Sequence, residues 1–177
     1  ITGASGFIGK GLQETLKQRG LPYRAVSRRA LPGYFPISDV GTDTDWSEAL
    51  KGIDTVVHLA AANQNVIEGK TDDSSYQTIN VDGTSRLAEQ AAAAGVKRFI
   101  FLSSIKAVVD SSPDPVDETT TPCPSTAYGR SKLQAEEYIR QQQLPAGKEY
   151  FILRPCMIHG PGNKGNLNLL YKFVKTG

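Results

Sequence analysis

The chain has 177 residues, of which 39% are hydrophobic and 21% are charged, and its formal net charge is +2 at pH 7. These values are ordinary for a globular protein that can bury a sizeable core. The small net charge argues against nucleic acid as a partner, and since no apolar run reaches 18 residues, the sequence predicts no membrane partner either.

Strand-like and helix-like segments alternate along the chain. The predicted elements are, in chain order, a helix over residues 7–19, strands over 22–27 and 54–60, a helix over 74–94, a strand over 97–103, a helix over 125–143 and a strand over 149–155. This alternation predicts an α/β fold, with a doubly wound parallel sheet between two layers of helices. Ligands of such sheets bind beyond the carboxyl ends of the strands.

The first predicted turn is rich in glycine. The chain opens with ITGASGFIG, so that Gly3, Gly6 and Gly9 are spaced three apart between a strand end and a helix start. Glycines in this place allow a sharp turn, a close approach to a pyrophosphate and tight packing of the helix on the sheet. The positive end of the helix dipole then faces the phosphates. The turn therefore predicts a dinucleotide site.

The next predicted strand ends at Ser27, Arg28 and Arg29. NAD-selective sites carry an acidic residue near this point, and none is present here. An arginine can instead bind a 2′-phosphate with its planar guanidinium. The arginines therefore favour NADP slightly over NAD, although two solvated loop arginines would look the same in the sequence.

Seven short motifs resemble those of extended short-chain dehydrogenases/reductases of the NAD-dependent epimerase/dehydratase family. They are TGASGFIG, SDV, HLAA, NVDGT, FLSS, YGRSK and RPCMIHGPG, and the resemblance extends from Ile1 to about Asn166. The similarity is greatest to the bacterial 4-epimerase-like members that act on UDP-glucose or UDP-GlcNAc. The resemblance implies a Rossmann-type NAD(P)-binding domain over residues 1–177, truncated at both ends, with most of the C-terminal substrate domain missing.

The resemblance also implies roles for individual residues. Catalysis would rest on Ser104, Tyr128 and Lys132, supported by Asn80. Substrate contacts would come from Ser104 and from Asn166. The residues expected to contact NAD or NADP, besides Arg28 and Arg29, are Gly3, Ser5, Gly6, Phe7, Ile8, Gly9, Asp39, Val40, Leu59, Ala60, Ala61, Asn80, Tyr128, Lys132 and Pro155.

A Tyr and a Lys four positions apart are common on helix surfaces and mean little alone. Here Tyr128 and Lys132 share one helix face, and Ser104 ends a predicted strand 24 positions earlier. A phenol has a pKa near 10, and we expect the ammonium and the nicotinamide to pull the pKa of Tyr128 towards neutral. Tyr128 would take a proton from a sugar hydroxyl during hydride transfer, Ser104 would hydrogen-bond the same oxygen, and Lys132 would hold the nicotinamide ribose.

Four nearby polar residues are assigned separately. Asn80 lies in an otherwise alanine-rich helix, where it either anchors the active-site backbone or turns to solvent. His58 precedes LAA at a strand end, and we expect it to be structural. Lys106 and Asp110 follow Ser104, and we interpret them as loop charges.

Three functions remain open. The first is a nucleotide-sugar 4-epimerase, which oxidises and re-reduces C4 of the sugar. The second is a reductase, dehydrogenase or dehydratase of the same family; Arg28 and Arg29 slightly favour a ketone or aldehyde reductase. Related dehydratases carry an Asp-Glu pair where this chain has Ile105 and Lys106, which argues against a dehydratase. The third is a cofactor-sensing protein without turnover.

The remaining expectations concern the protein's surroundings. Cys123 and Cys156 form no disulfide pattern or metal-ligand spacing, so we expect a cytoplasmic protein without a metal site. The resemblance implies a nucleotide-sugar substrate and a possible homodimer, in which the helices over 74–94 and 125–143 would form a four-helix bundle. The first residue is not Met and a glycine turn follows at once, so we expect a fragment.

Overall fold

The strand pairs are parallel throughout the described part of the chain. The structure, a computed structural model, describes residues 1–63, 73–142, 147–160, 162 and 174. The helices are α1 (Phe7–Gln18), α2 (Ser47–Leu50), α3 (Asp73–Ser75), α4 (Gly83–Ala93) and α5 (Ala127–Gln141), with a π-helical segment (Tyr76–Asp82) and a 3₁₀ turn (Ile105–Ala107). The strands are β1 (Val26–Ser27), β2 (Phe35–Pro36), β3 (Thr55–His58), β4 (Arg98–Leu102) and β5 (Glu149–Leu153).

The first two residues connect the two-stranded sheet to the three-stranded sheet. β1 pairs with β2, and β4 lies between β3 and β5. Ile1 accepts a backbone hydrogen bond from Val26 at 3.0 Å, and Thr2 donates one to Val57 at 3.0 Å. The strand order is therefore β2, β1, residues 1–2, β3, β4 and β5, which is the order of a dinucleotide-binding doubly wound sheet. The predicted α/β fold is confirmed.

Most element bounds differ from the prediction by one or two residues, and the differences at β1, at β2 and in the helix over 74–94 are larger. β1 covers two residues of the predicted strand over 22–27, because its ladder partners are Ile1 and β2. β2 was not predicted, because its second residue is Pro36, which has no backbone N–H to donate to a ladder. Prolines in strands are found mainly at sheet edges. The predicted helix over 74–94 begins with the π-helical segment. The last position of the predicted helix over 125–143 lies outside the described residues.

The core lies between β3 and β4 and the helices α4 and α5. Phe101, Leu87, Ala135 and Ile139 are almost inaccessible to solvent and belong to one hydrophobic cluster. This packing fixes both helices against the sheet. Within the described residues, no helix has the length and apolar character needed to span a membrane.

Candidate active site

The glycine turn forms a tight cradle at the carboxyl edge of the sheet. Gly3 has a φ of 61°, and a Cβ there would lie 2.7 Å from the backbone nitrogen of Ala60. A Cβ on Gly9 would lie 2.5 Å from the carbonyl oxygen of Gly3. Since both distances are below any real contact, only glycine fits these two positions. Gly6 caps the N-terminus of α1 without any side-chain hydrogen bond, which leaves the helix start open to an anion.

A groove of about 410 Å³ runs from this cradle across the sheet edge. Its walls include Leu59–Ala61 after β3 and the apolar residues Ile37 and Ile79, which no sequence motif had identified. The predicted cofactor residues that line it are Gly3, Ser5, Gly6, Arg28, Val40, Leu59, Ala60 and Ala61. Phe7, Ile8 and Gly9 form the first turn of α1. The glycine cradle and the groove fit a dinucleotide.

A polar recess of about 370 Å³ adjoins the groove. Arg28, Arg29 and Asp39 line it, together with Ser5, Ser27 and Ser38. Asp39, predicted to contact adenine, accepts a hydrogen bond from Arg28 Nη1 at 3.2 Å, and both side chains are more than half exposed. Such an exposed ion pair is weak, so Arg28 is available to a phosphate that enters the recess.

A buried chain of hydrogen bonds fixes the groove wall after β3. Thr2 Oγ1 accepts hydrogen bonds from the backbone nitrogens of Leu59 (3.1 Å) and Ala60 (3.2 Å). Its own proton therefore points to His58 Nδ1, 2.6 Å away, and His58 Nε2 donates to Thr84 Oγ1 at 2.9 Å. Burial lowers the pKa of His58 to about 3, so the ring is neutral. His58 is a structural residue, as predicted.

Asn80 connects this wall to α5. Its Oδ1 accepts a hydrogen bond from the backbone nitrogen of Ala62 at 2.8 Å, and its Nδ2 donates to Ala62 O at 3.1 Å. Nδ2 also donates to Ser131 Oγ at 3.0 Å, and Ser131 donates to Tyr128 O at 2.8 Å. Asn80 is completely buried, so the alternative of a solvent-facing side chain is wrong.

Tyr128 lies in the first turn of α5, next to the turn that follows Ser104. A Cβ on Gly129 would collide with the carbonyl oxygen of Lys106, so glycine permits this approach. The ring of Tyr128 packs edge to face on Tyr76, with 6.0 Å between centroids. Burial raises the pKa of Tyr128, although a hydrogen bond with the Ser104 side chain opposes the rise. The expected shift towards neutral is therefore not produced by the described residues.

Lys132 lies one turn further along α5 and is 1% exposed. Its Nζ lies 4.1 Å from the centre of the Phe101 ring, in a cation–π contact. Burial lowers the pKa of Lys132 to about 7, and the Glu136 carboxylate opposes this fall. Lys132 therefore changes its charge near neutral pH.

Asp110 holds the start of α5, so the interpretation of this residue as a loop charge is wrong. Its Oδ2 accepts hydrogen bonds from Ser125 N (2.7 Å), Ser125 Oγ (2.7 Å) and Thr126 N (3.1 Å), and its Oδ1 accepts one from Thr126 Oγ1 (2.9 Å). Burial raises the pKa of Asp110, but these hydrogen bonds together hold it well below its usual range. Lys106 Nζ lies 3.6 Å from Asp110 Oδ1. The pair positions the helix that carries Tyr128.

Two predicted residues lie apart from these contacts. Pro155 follows β5, and its carbonyl oxygen accepts a hydrogen bond from the backbone nitrogen of Ile105 at 3.0 Å. It therefore supports the turn that follows Ser104. Asn166, the predicted substrate residue, lies outside the described residues.

The chain matches known proteins along its whole length. It matches the NAD dependent epimerase/dehydratase family over residues 1–176. It is 34% identical to a UDP-glucose 4-epimerase of Vibrio cholerae, over 100% of this chain and 56% of the relative. It is also 34% identical to the N-acetyl-alpha-D-glucosaminyl-diphospho-ditrans,octacis-undecaprenol 4-epimerase of Escherichia coli O157:H7, over 100% of this chain and 54% of the relative. The chain thus spans about half the length of these curated relatives.

A solved structure shares the fold. MoeE5, determined in complex with UDP-glucose and NAD, superposes with a TM-score of 0.78 at 34% sequence identity. The match covers 92% of this chain and 55% of MoeE5.

Proposed function

Because the chain belongs to the NAD-dependent epimerase/dehydratase family, we propose that it is the cofactor-binding part of a nucleotide-sugar 4-epimerase. One observation carries the proposal: the start of α5, with Tyr128, packs against the turn after Ser104 at the edge where the glycine cradle opens. The names of the two 4-epimerase relatives and the ligands of MoeE5 support a nucleotide sugar as the substrate class.

The cofactor of this activity would be NAD or NADP. The turn at Gly3–Gly9 and the N-terminus of α1 would hold its pyrophosphate. The apolar side chains at Ile37 and Val40 would contact the adenine, and the recess at Arg28 would receive the adenosine ribose. When bound, the cofactor would supply the hydride chemistry that oxidises C4 of the sugar and reduces it again.

Tyr128 would be the general base. Its phenol oxygen would take the proton of the C4 hydroxyl and give it back in the second half of the reaction. A phenol is protonated at neutral pH, and burial raises the pKa of Tyr128 further, so a positive charge must favour the phenolate. Protonated Lys132, one helical turn away, would contribute that charge. Ser104 would hydrogen-bond the same sugar oxygen and hold it in line with Tyr128.

A reductase of the same family is the second candidate. The recess lined by Arg28 and Arg29 favours it, because two guanidinium groups suit the 2′-phosphate of NADP and reductases exchange NADPH for NADP. A dehydratase is less well supported. The turn after Ser104 carries Ile105 and Lys106, and Lys106 is paired with Asp110.

The test is a turnover assay with the full-length protein. UDP-glucose or UDP-GlcNAc is incubated with the protein and NAD, and the products are separated by chromatography. The 4-epimer should form without net reduction of NAD. Absence of the epimer, combined with oxidation of NADPH by a ketone or aldehyde, would replace the epimerase with the reductase.

A further inference from the structure

Glu136 is a completely buried carboxylate that the mechanism above does not use. It lies on α5 one helical turn after Lys132, facing the carboxyl ends of β4 and β5. It accepts a hydrogen bond from Ser103 Oγ at 2.5 Å. Arg154 binds it with two nitrogens, Nε at 3.0 Å and Nη2 at 2.6 Å, and Arg140 Nη2 lies 3.1 Å away. A buried charge is tolerated only when it is paired in this way.

These contacts reach both strand ends of the candidate active site. Ser103 directly precedes Ser104, and its backbone nitrogen donates to Leu153 O at 2.7 Å. Arg154 directly precedes Pro155, which supports the turn after Ser104. Glu136 therefore ties the helix of Tyr128 to the two strand ends that place Ser104.

The same carboxylate influences Lys132, and the other described groups around Lys132 are neutral or positive. The phenol of Tyr128 lies on its own helix, the Phe101 ring of β4 lies under its ammonium, and β3 contributes His58, which is neutral. The guanidinium groups of Arg154 and Arg140 lie beyond Glu136. Burial lowers the pKa of Lys132, and the Glu136 carboxylate acts in the opposite direction.

We propose that Glu136 is a positioning residue of this site, which supplies the counter-charge for Lys132 and fixes the strand end that carries Ser104. The inference rests on the proposed function, because it takes Lys132 and Ser104 to act in turnover. Its electrostatic part can be measured without turnover.

The first test is the pH profile of Glu136→Gln in the full-length protein. The amide can still accept the hydrogen bond of Ser103, but it carries no charge. The pKa of Lys132 then falls, so the alkaline limb of kcat should move to lower pH by roughly one unit or more. The KM for the nucleotide sugar should stay within about twofold. Glu137→Gln, on the exposed next residue, is the matched control and should leave the limb in place.

A second variant tests whether Glu136 positions the site or only balances the charge of Arg154. Glu136→Gln leaves a guanidinium without its partner and can unfold the protein. The double variant Glu136→Gln/Arg154→Met removes both charges and should regain the wild-type unfolding midpoint. Arg154→Met alone removes a positive charge near Lys132, so the alkaline limb of the double variant is compared with that of this single variant. We expect the limb of the double variant to lie at lower pH. Equal limbs in the two variants would mean that Glu136 serves Arg154 alone, and would overturn the proposal.

The third test needs no substrate. A double-mutant cycle combines Lys132→Met with Glu136→Gln, and urea unfolding is measured at pH 6 and at pH 9.5. The coupling should be favourable at pH 6, where Lys132 is charged, and should vanish at pH 9.5, where it is neutral. Equal coupling at both pH values would contradict the proposal. If the coupling follows pH but the wild-type protein makes no epimer, the proposed function fails while the electrostatic role of Glu136 stands.

Discussion

The amide of Asn80 donates a hydrogen bond to Ser131 across 51 positions of sequence, at 3.0 Å. Through this bond the π-helical segment holds the backbone of Tyr128, because Ser131 donates to the Tyr128 carbonyl. The same amide group fixes Ala62, which lines the groove after β3. The position of the proposed base is thus linked to the wall of the proposed cofactor groove.

The first prediction concerns the base itself. Tyr128→Phe removes the phenol oxygen but keeps the ring that packs on Tyr76. We expect kcat to fall by about 10²–10⁴-fold, the usual contribution of a general base. Cofactor affinity, measured by isothermal titration calorimetry, should change little.

The matched control is Tyr138→Phe on the same helix, where the hydroxyl donates to Glu89. It should leave kcat unchanged. Near-normal turnover of Tyr128→Phe would remove Tyr128 from the mechanism.

The second prediction concerns the start of α5. Asp110 has a pKa below its usual range in the folded protein, so its stabilising effect is present at neutral pH and is lost as the pH falls. Asp110→Asn should lower the free energy of unfolding by about 1–3 kcal/mol at pH 7, since charged hydrogen bonds are lost. Urea unfolding should show this difference shrinking as the pH falls below about 4.

Asp114→Asn, on an exposed residue of the same loop, is the control and should have little effect at either pH. An Asp110→Asn variant as stable as the wild type at pH 7 would show that the four hydrogen bonds do not hold the helix start.

The third prediction concerns the groove wall. Thr2→Val removes the acceptor of the Leu59 and Ala60 backbone nitrogens and the donor to His58. We expect the free energy of unfolding to fall by about 1–3 kcal/mol, because buried polar groups lose their partners. We also expect weaker NAD binding, since Leu59 and Ala60 line the groove.

Urea unfolding and calorimetry measure these two effects. Thr15→Val, on an exposed residue of α1, is the control, and it removes one hydrogen bond to the Gly11 carbonyl. Equal unfolding midpoints and equal NAD affinities for Thr2→Val and wild type would contradict the prediction.

The fourth prediction concerns the choice between NAD and NADP. If Arg28 and Arg29 bind a 2′-phosphate, Arg28→Ala should weaken NADP binding about tenfold, which corresponds to about 1.4 kcal/mol. NAD binding should be almost unchanged. The ratio of the two dissociation constants is the readout, and Arg19→Ala, outside the recess and exposed, is the control. An unchanged ratio would mean that Arg28 plays no part in this choice.

Local patterns in the sequence predicted the parts of the site that depend on local geometry. Gly3 and Gly9 occupy positions where a Cβ does not fit, and the spacing of Tyr128 and Lys132 places them on one face of α5. The parts that were missed depend on contacts between distant segments. Thr2 meets His58 across 56 positions, and Ser103 meets Glu136 across 33.

Asp110 shows the same limitation. Its carboxylate accepts hydrogen bonds from Ser125 and Thr126, which lie 15 and 16 positions later. Neither helical nor strand periodicity relates residues at such spacings. The π-helical segment at Tyr76–Asp82 also lacks a sequence signal, because no residue pattern marks a turn with i to i+5 hydrogen bonds. The Ser-Thr pair at the start of the helix predicted over 125–143 was the one available hint of a capped helix start.

The central claim is that hydride leaves and returns within one bound complex at the site of Tyr128. The most direct test is to denature the purified full-length protein and to quantify the released nicotinamide cofactor before and after turnover with UDP-glucose or UDP-GlcNAc. We predict close to one cofactor per chain, in the same oxidation state after many turnovers. A protein that is purified empty and consumes NADPH in proportion to a reduced carbonyl substrate would contradict the claim.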